Sequence, residues 1–207
     1  MFIKICGITR LEDAEAAVQL GADALGFVFW PRSPRLVDPA RVGEMTGALS
    51  RPVLTVGVFV NQPADEVNRV ADRARLGAVQ LHGDETPQYA AAIERPIIKA
   101  IRVDEGAPRL EWPEGVMWLV DALDRDRRGG TGKRANWSAA AVVAKERRVL
   151  LAGGLNAANI ADAIAEVRPF GVDVSSGVEL VPGLKDKQRL IAFFQALHEV
   201  NHHTARS

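Results

Sequence analysis

The chain has 207 residues, of which 47% are hydrophobic and 25% are charged, as expected for one globular domain. Its 26 basic and 26 acidic residues cancel, so no overall basic field would attract nucleic acid. The single cysteine, Cys6, excludes an intramolecular disulfide, and no apolar run reaches the ~20 residues that a membrane helix needs. No signal-peptide pattern opens the chain, so we expect a cytoplasmic protein. From the charge balance and the short apolar runs, we expect neither nucleic-acid nor membrane partners.

Short β-branched runs alternate with longer amphipathic stretches along the whole chain. This alternation predicts eight strands, at Phe2–Cys6, Ala24–Phe29, Val53–Phe59, Ala78–Leu81, Ile97–Ala100, Val116–Val120, Val149–Ala152 and Val172–Val174. Helices are predicted between them, at Leu11–Leu20, Pro39–Leu49, Pro63–Arg73, Pro87–Ile93, Ser138–Lys145, Ala157–Glu166 and Lys187–Val200. Asp38 and Asn156 carry side-chain oxygens that can accept from the free amides at a helix start.

Strands and helices in regular alternation predict parallel strands that are joined by right-handed crossovers. Eight units without interruption favour a closed barrel over an open doubly wound sheet. We therefore predict a single (β/α)8 TIM barrel over residues 1–200, followed by a frayed tail at 201–207. His202 and His203 lie in that tail, where a metal site would need further ligands, so no metal is expected.

Two glycine-containing loops follow neighbouring predicted strands. Gly153 and Gly154 come after the seventh strand, and Ser175, Ser176 and Gly177 come after the eighth. Glycine lets backbone amides approach an anion closely, and barrels commonly bind phosphate at these two loops. The alternative is that the glycines only form tight turns, but their occurrence at adjacent strand ends favours a phosphate site.

Cys6 ends the first predicted strand and shares the inward-facing parity of Lys4. The thiol is either a proton-transfer group or a small buried hydrophobe, and the residues alone favour neither interpretation. A thiol base needs some thiolate, of which an ordinary pKa of about 8.5 leaves a few per cent at neutral pH. Lys4 is one candidate for raising that fraction.

Further candidates end other predicted strands. Asp121 follows the sixth strand, where exclusion of water would suit a general acid. Asp173 faces inward in the eighth strand, and we predict that it pairs with the buried ammonium of Lys4. Arg35 can bind a carboxylate through two hydrogen bonds, although the residues alone favour a surface arginine. His82 either contacts a substrate or forms a structural hydrogen bond.

Several sequence blocks together resemble the phosphoribosylanthranilate isomerase family. In order they are Lys4-Ile5-Cys6-Gly7-Ile8-Thr9-Arg10, Gly26-Phe27-Val28-Phe29, Ser33-Pro34-Arg35, Val56-Gly57-Val58-Phe59-Val60-Asn61, Val79-Gln80-Leu81-His82-Gly83-Asp84-Glu85, Leu119-Val120-Asp121, Gly129-Gly130-Thr131-Gly132-Lys133, Leu151-Ala152-Gly153-Gly154-Leu155, Val172-Asp173-Val174-Ser175-Ser176-Gly177-Val178-Glu179 and Pro182-Gly183-Leu184-Lys185-Asp186. The blocks span essentially the whole chain. One departure is Ala135-Asn136-Trp137, where the family usually has an aromatic residue and Asp before Trp.

The resemblance implies a barrel enzyme of tryptophan biosynthesis that needs no cofactor. Its reaction is the Amadori rearrangement of N-(5-phosphoribosyl)anthranilate to 1-(2-carboxyphenylamino)-1-deoxyribulose 5-phosphate. By position, Cys6 matches the family's general base, Asp121 its general acid and Arg35 the group that contacts the anthranilate carboxylate. The loops at Gly153, Gly154, Ser175, Ser176 and Gly177 match the family's phosphate site. From their positions at the strand ends, and not from the resemblance, we add His82 and Asp173 as predicted substrate contacts.

Some alternatives stay open at this point. Asp124 and Asp126 lie close to Asp121 in sequence, but the family's acid ends the sixth strand, which only Asp121 does. A rival function is that of a different phosphate-binding barrel isomerase or lyase. Members of the histidine-pathway isomerase family resemble one another in carrying Asp at the position of Cys6, so the cysteine argues against that family. A non-catalytic sugar-phosphate-binding barrel is another. The protein is expected to be a monomer or a homodimer that binds a small sugar phosphate.

Overall fold

The computed structural model describes residues 1–102, 112–121 and 136–204. Eight parallel strands follow one another around a closed barrel in chain order. They are β1 Phe2–Cys6, β2 Ala24–Val28, β3 Leu54–Phe59, β4 Ala78–Leu81, β5 Ile97–Ile101, β6 Met117–Val120, β7 Val149–Leu151 and β8 Gly171–Val174. Pairing of β1 with β8 closes the ring and places Lys4 opposite Asp173. The predicted TIM barrel is confirmed.

Helices follow the strands on the outside of the barrel. They are α1 Leu11–Leu20, α2 Pro39–Gly47, α3 Ala64–Arg73, α4 Pro87–Ala90, α5 Trp137–Ala144, α6 Ile160–Val167 and α7 Lys187–Thr204. The predicted cap at Asp38 is confirmed, because its carboxylate accepts from the amides of Ala40 and Arg41. None of the helices in these described ranges is long and apolar enough to cross a membrane.

The start of α6 corrects one prediction. Asn156 accepts from the amide of Ala158, but the helix begins only at Ile160, with Asn159 at its N-cap position. The amide of Asn156 donates to Oδ1 of Asn159 at 2.9 Å. The two asparagines thus stabilise a turn that delays the helix by three residues relative to the predicted start at Ala157.

A short hairpin that was not predicted from the sequence follows the eighth strand. A 3₁₀ turn at Ser176–Val178 leads into β9 Glu179–Val181, which pairs antiparallel with β10 Leu184–Lys185. Strands of three and two residues are too short to show an alternating pattern. The hairpin leaves Leu180 and Val181 exposed but buries the side chains of Glu179 and Lys185.

Inside and outside of the barrel are filled by different residues. Side chains such as Ile5, Phe27 and Phe59 pack outward against the helices. The interior holds a separate apolar layer that contains Ala24, Val56, Ala78, Ile98, Leu119, Leu150 and Ala152. Above it, Cys6 packs with Val28 and Val58. The parity predicted for β1 is therefore confirmed, and it directs Cys6 into the upper end of the barrel.

Candidate active site

A cavity of about 710 Å³ lies at the C-terminal ends of the strands. It brings together every predicted site residue except Gly177. The residues of its wall that bear on chemistry are Cys6, Trp30, Arg35, Gln80, His82, Asp121, Gly153, Gly154, Asp173, Ser175 and Ser176. Cys6 and Asp121 thus face one cavity, as a proton-transfer pair requires.

Lys4 and Asp173 form an ion pair directly below Cys6. Nζ of Lys4 lies 2.7 Å from Oδ1 of Asp173, and the lysine side chain is completely buried. Burial alone would lower the pKa of Lys4, but the charges and hydrogen bonds of Asp173 and Cys6 together outweigh burial and raise that pKa. The predicted pair is confirmed, and Lys4 is a permanent positive charge beneath the thiol.

The thiol of Cys6 is buried and carries no disulfide. Burial raises the pKa of Cys6, while the positive charge of Lys4 opposes that rise. Asp173 raises the pKa further, and Lys185 lowers it. Lys4 therefore favours thiolate as predicted, but its effect is smaller than that of burial, and the thiol form predominates at neutral pH.

Asp121 receives a contact from the imidazole of His82. Nε2 of His82 lies 3.2 Å from Oδ2 of Asp121, while Nδ1 lies 2.8 Å from the side-chain amide of Gln80. With the amide nitrogen of Gln80 donating to Nδ1, the ring proton resides on Nε2 and points at Asp121. His82 therefore orients the carboxyl group. The alternative acids, Asp124 and Asp126, lie outside the described residues, as do the block at 129–133 and Ala135.

Arg35 is largely buried, with 11% of its side chain exposed, so its interpretation as a surface arginine is wrong. Its Nε and Nη2 donate to the two oxygens of Glu179 at 2.9 and 2.5 Å. Nη1 takes no part in this pair. Because Arg35 also lines the cavity, the guanidinium can bind a second carboxylate there while Glu179 holds it.

The loops after β7 and β8 are in backbone contact. Gly153 and Gly154 have φ angles of 87° and 71°, a region that favours glycine. A Cβ on Gly177 would lie 1.8 Å from the carbonyl oxygen of Leu155. Gly177 therefore lets the two loops meet without itself lining the cavity. The hydroxyl of Ser175 is buried, and no described residue forms a hydrogen bond with it.

One wall of the cavity is apolar. Val28, Trp30, Val58 and Val60 follow one another around its β2 and β3 side, next to Arg35. An aromatic ring that carries a carboxylate fits such a combination of apolar surface and guanidinium. Within the described part of the chain, no group of three or more His, Cys, Asp or Glu side chains is placed to hold a metal ion.

Glu179 and Lys185 belong to the site, although neither was predicted as a site residue from the sequence. Nζ of Lys185 donates to Glu179 at 2.9 Å and to the carbonyl oxygen of Cys6 at 2.5 Å. Both residues occur in the blocks that carry the family resemblance, and this occurrence was the sequence feature that could have marked them as site residues. No rule of alternation applies to so short a hairpin, so their burial was not foreseen.

Comparisons with known proteins agree with this geometry. A family model described as N-(5'phosphoribosyl)anthranilate (PRA) isomerase matches residues 3–196. The chain is 47% identical over 207 residues to N-(5'-phosphoribosyl)anthranilate isomerase of Pelobacter propionicus, covering 99% of both chains.

Solved structures of phosphoribosyl anthranilate isomerases are also similar to this chain. The crystal structure of phosphoribosyl anthranilate isomerase from Thermus thermophilus is 41% identical, with a TM-score of 0.87 over 97% of this chain and 100% of that one. A phosphoribosyl anthranilate isomerase in complex with reduced 1-(o-carboxyphenylamino)-1-deoxyribulose 5-phosphate is 38% identical. Its TM-score is 0.83 over 96% of this chain and 99% of the other.

Proposed function

The chain belongs to the N-(5'-phosphoribosyl)anthranilate isomerase family, and we propose that it performs this isomerisation with Cys6 as general base and Asp121 as general acid. The substrate is N-(5'-phosphoribosyl)anthranilate, and the reaction belongs to tryptophan biosynthesis. Family membership sets aside the rival barrel isomerase or lyase and the non-catalytic barrel.

The observation that carries the residue assignment is the order of groups around the rim. Asp121 follows β6, the glycine loops follow β7 and β8, Cys6 ends β1 and Arg35 follows β2. A phosphate bound between Asp121 and Cys6 would leave the sugar within reach of both. The carboxylate of the aromatic ring would then reach Arg35 on the far side of Cys6. The phosphate, the furanose ring oxygen, C2' and the carboxylate of the substrate would thus meet the glycine loops, Asp121, Cys6 and Arg35, respectively.

Each step of the rearrangement has a group to perform it. Asp121 in its protonated form donates to the furanose ring oxygen, and the ring opens to a cationic Schiff base. That cation acidifies the proton at C2', which the thiolate of Cys6 removes. The resulting enolamine tautomerises to the ketone. Each proton-transfer group typically contributes ~10²–10⁴ in rate, or about 3–5 kcal/mol.

Binding of the phosphate contributes to catalysis by positioning the substrate. The contact of Gly177 with Leu155 holds the two glycine loops together, so their amides can converge on one anion. Because the phosphate is remote from the reacting atoms, its binding energy serves to hold C2' against Cys6. His82 supports the acid, since it fixes the orientation of Asp121.

The test is a fluorescence assay that follows loss of N-(5'-phosphoribosyl)anthranilate with the purified protein. Wild type should turn over, while Cys6→Ser and Asp121→Asn should each lose about 10²–10⁴ in kcat with the fold intact by circular dichroism. Glu166→Gln, an exposed change on α6, is the control and should keep full activity. Near-normal turnover of either site variant would remove that residue from its role.

Two further inferences accompany this proposal. We infer a cytoplasmic location from the single unpaired cysteine, because a thiol that acts as a base must stay reduced. The protein is expected to act as a monomer or a homodimer, and its partner is the sugar-phosphate substrate.

A further inference from the structure

The hairpin β9–β10 connects the two sides of the cavity. Nζ of Lys185 reaches the carbonyl oxygens of Cys6 and Ser175, at 2.5 and 3.3 Å, and the carboxylate of Glu179 at 2.9 Å. An ammonium group has three protons to donate, so these three acceptors satisfy it. The side chain is fully buried. Lys185 therefore ties the ends of β1 and β8 to the carboxylate that holds Arg35.

We propose that Glu179 and Lys185 are positioning residues of the isomerisation. Glu179 holds Arg35 so that Nη1 faces the substrate carboxylate, and Lys185 fixes the main chain of Cys6 and places a positive charge beside its thiol. This inference rests on the proposed function.

The carboxylate of Glu179 accepts hydrogen bonds at both of its oxygens. Both carboxylate oxygens bind Arg35, Oε1 also binds Lys185, and the amide of Gly183 donates to Oε1 at 3.2 Å. Burial would raise the pKa of Glu179, but the bonds from Arg35 and the charge of Lys185 lower it, so the group is ionised. A two-point ionic contact fixes the plane of the guanidinium. Arg35 then loses little conformational freedom when a substrate binds.

Lys185 is one of the charged groups that surround the thiol of Cys6. Lys4 and Asp173 face the thiol from β1 and β8, Lys185 from β10 and Arg35 from the loop after β2, while Glu179 on β9 neutralises part of the last two charges. Lys4 is itself compensated by Asp173. Lys185 lowers the pKa of Cys6 against the effect of burial. Burial also lowers the pKa of Lys185 itself, and the charge of Glu179 opposes that lowering. Removal of the charge of Lys185 should therefore leave less thiolate at neutral pH.

Two variants separate the roles, and each has an exposed control. Glu179→Gln is compared with Glu166→Gln, and Lys185→Met with Lys187→Met. Four quantities are measured: kcat and KM for the isomerisation, the inhibition constant of inorganic phosphate, and the pH dependence of iodoacetamide alkylation. Because Cys6 is the only cysteine of the chain, alkylation reports on that thiol alone.

We expect Glu179→Gln to raise KM about tenfold, because Arg35 must be ordered anew in each complex. The inhibition constant of phosphate should stay unchanged, since phosphate does not touch Arg35. Lys185→Met should move the midpoint of alkylation upward by about one pH unit and lower kcat at pH 7 accordingly. Lys185→Arg, which keeps the charge, should keep the wild-type midpoint, and both controls should behave as wild type.

The proposal is overturned if Glu179→Gln leaves KM unchanged, or raises the phosphate constant as much as KM, since the residue would then act only through the fold. An unchanged alkylation midpoint in Lys185→Met would remove Lys185 from its role. If that variant does not fold, Lys185→Gln takes its place, because an amide still donates to the carbonyls without a charge. Wild-type turnover is measured first, so a failure of the proposed function is recognised separately, and alkylation needs no turnover.

Discussion

Replacement of Lys4 by methionine would test whether the ion pair below the thiol supports the barrel. The variant keeps the length of the side chain but leaves Asp173 buried without its cation, 92% of its side chain being covered. Removing one partner of a buried pair costs about 3–5 kcal/mol. Because Asp173 also borders the cavity, we expect the lower figure, about 3 kcal/mol. That is a large part of the roughly 5–15 kcal/mol that stabilises a typical domain.

The measurement is urea unfolding followed by tryptophan fluorescence, since Trp118 is buried in the core. Adding Asp173→Asn to Lys4→Met should recover at least about 2 kcal/mol, because no isolated charge is left. Asp72→Asn, which loses an exposed ion pair with Arg95, is the control and should cost less than about 1 kcal/mol. If Lys4→Met loses no more than this control, or the double variant is less stable than the single one, the pair does not stabilise the fold.

The same experiment has a pH dependence with a defined sign. The charge of Asp173 raises the pKa of Lys4 in the folded state above its ordinary value of 10.5. The contribution of the lysine is therefore fully present below the unfolded-state value and is lost only as pH rises through the folded-state value. The difference between wild type and Lys4→Met should stay constant from pH 7 to about 10 and shrink above that. A difference that shrinks between pH 7 and 9 would contradict the raised pKa.

Two further predictions concern the phosphate loops. Gly177→Ala should raise both KM and the inhibition constant of phosphate by about tenfold with kcat nearly unchanged, because the new Cβ would lie 1.8 Å from the carbonyl oxygen of Leu155 and push the loops apart. Gly47→Ala, which meets nothing within 4 Å, is the matched control, and equal effects of the two would mean that the loop contact is unimportant. Inorganic phosphate should inhibit wild type competitively with the substrate; a lack of inhibition at high concentration would move the phosphate site elsewhere.

Much of the fold could be predicted because it depends on local patterns. Each strand of the barrel is a short apolar run between longer amphipathic segments, and β1, β4 and α1 have the predicted ends. Parity within β1 and β8 was enough to pair Lys4 with Asp173, although 169 residues separate them. The prediction was confirmed because the first and last strands of a closed barrel are neighbours, so their inward-facing side chains meet inside the barrel.

The parts that could not be predicted depend on contacts between loops. The bond of Asn156 to Asn159 determines where α6 begins, and a cap rule applied to Asn156 alone cannot reveal it. The burial of Arg35 could not be predicted from its neighbours in the sequence, because its partner, Glu179, lies 144 residues away in an unpredicted hairpin. The close approach of Gly177 to Leu155 could not be predicted either, because it joins two loops that follow different strands.

Among the described residues, three lysines are buried, and each is paired with a carboxylate: Lys4 with Asp173, Lys99 with Glu85 and Lys185 with Glu179. Lysine is seldom buried unless it is paired, so composition alone places all three at the surface. Two of these ammonium groups also bind backbone carbonyls at a strand end: that of Cys6, the last residue of β1, and that of Gly83, just beyond β4. A carbonyl there has no next strand residue to pair with and must find another donor. At these two positions the donors are charged, and Lys185, which binds the carbonyl of Cys6, also contributes to the electrostatic field around the Cys6 thiol.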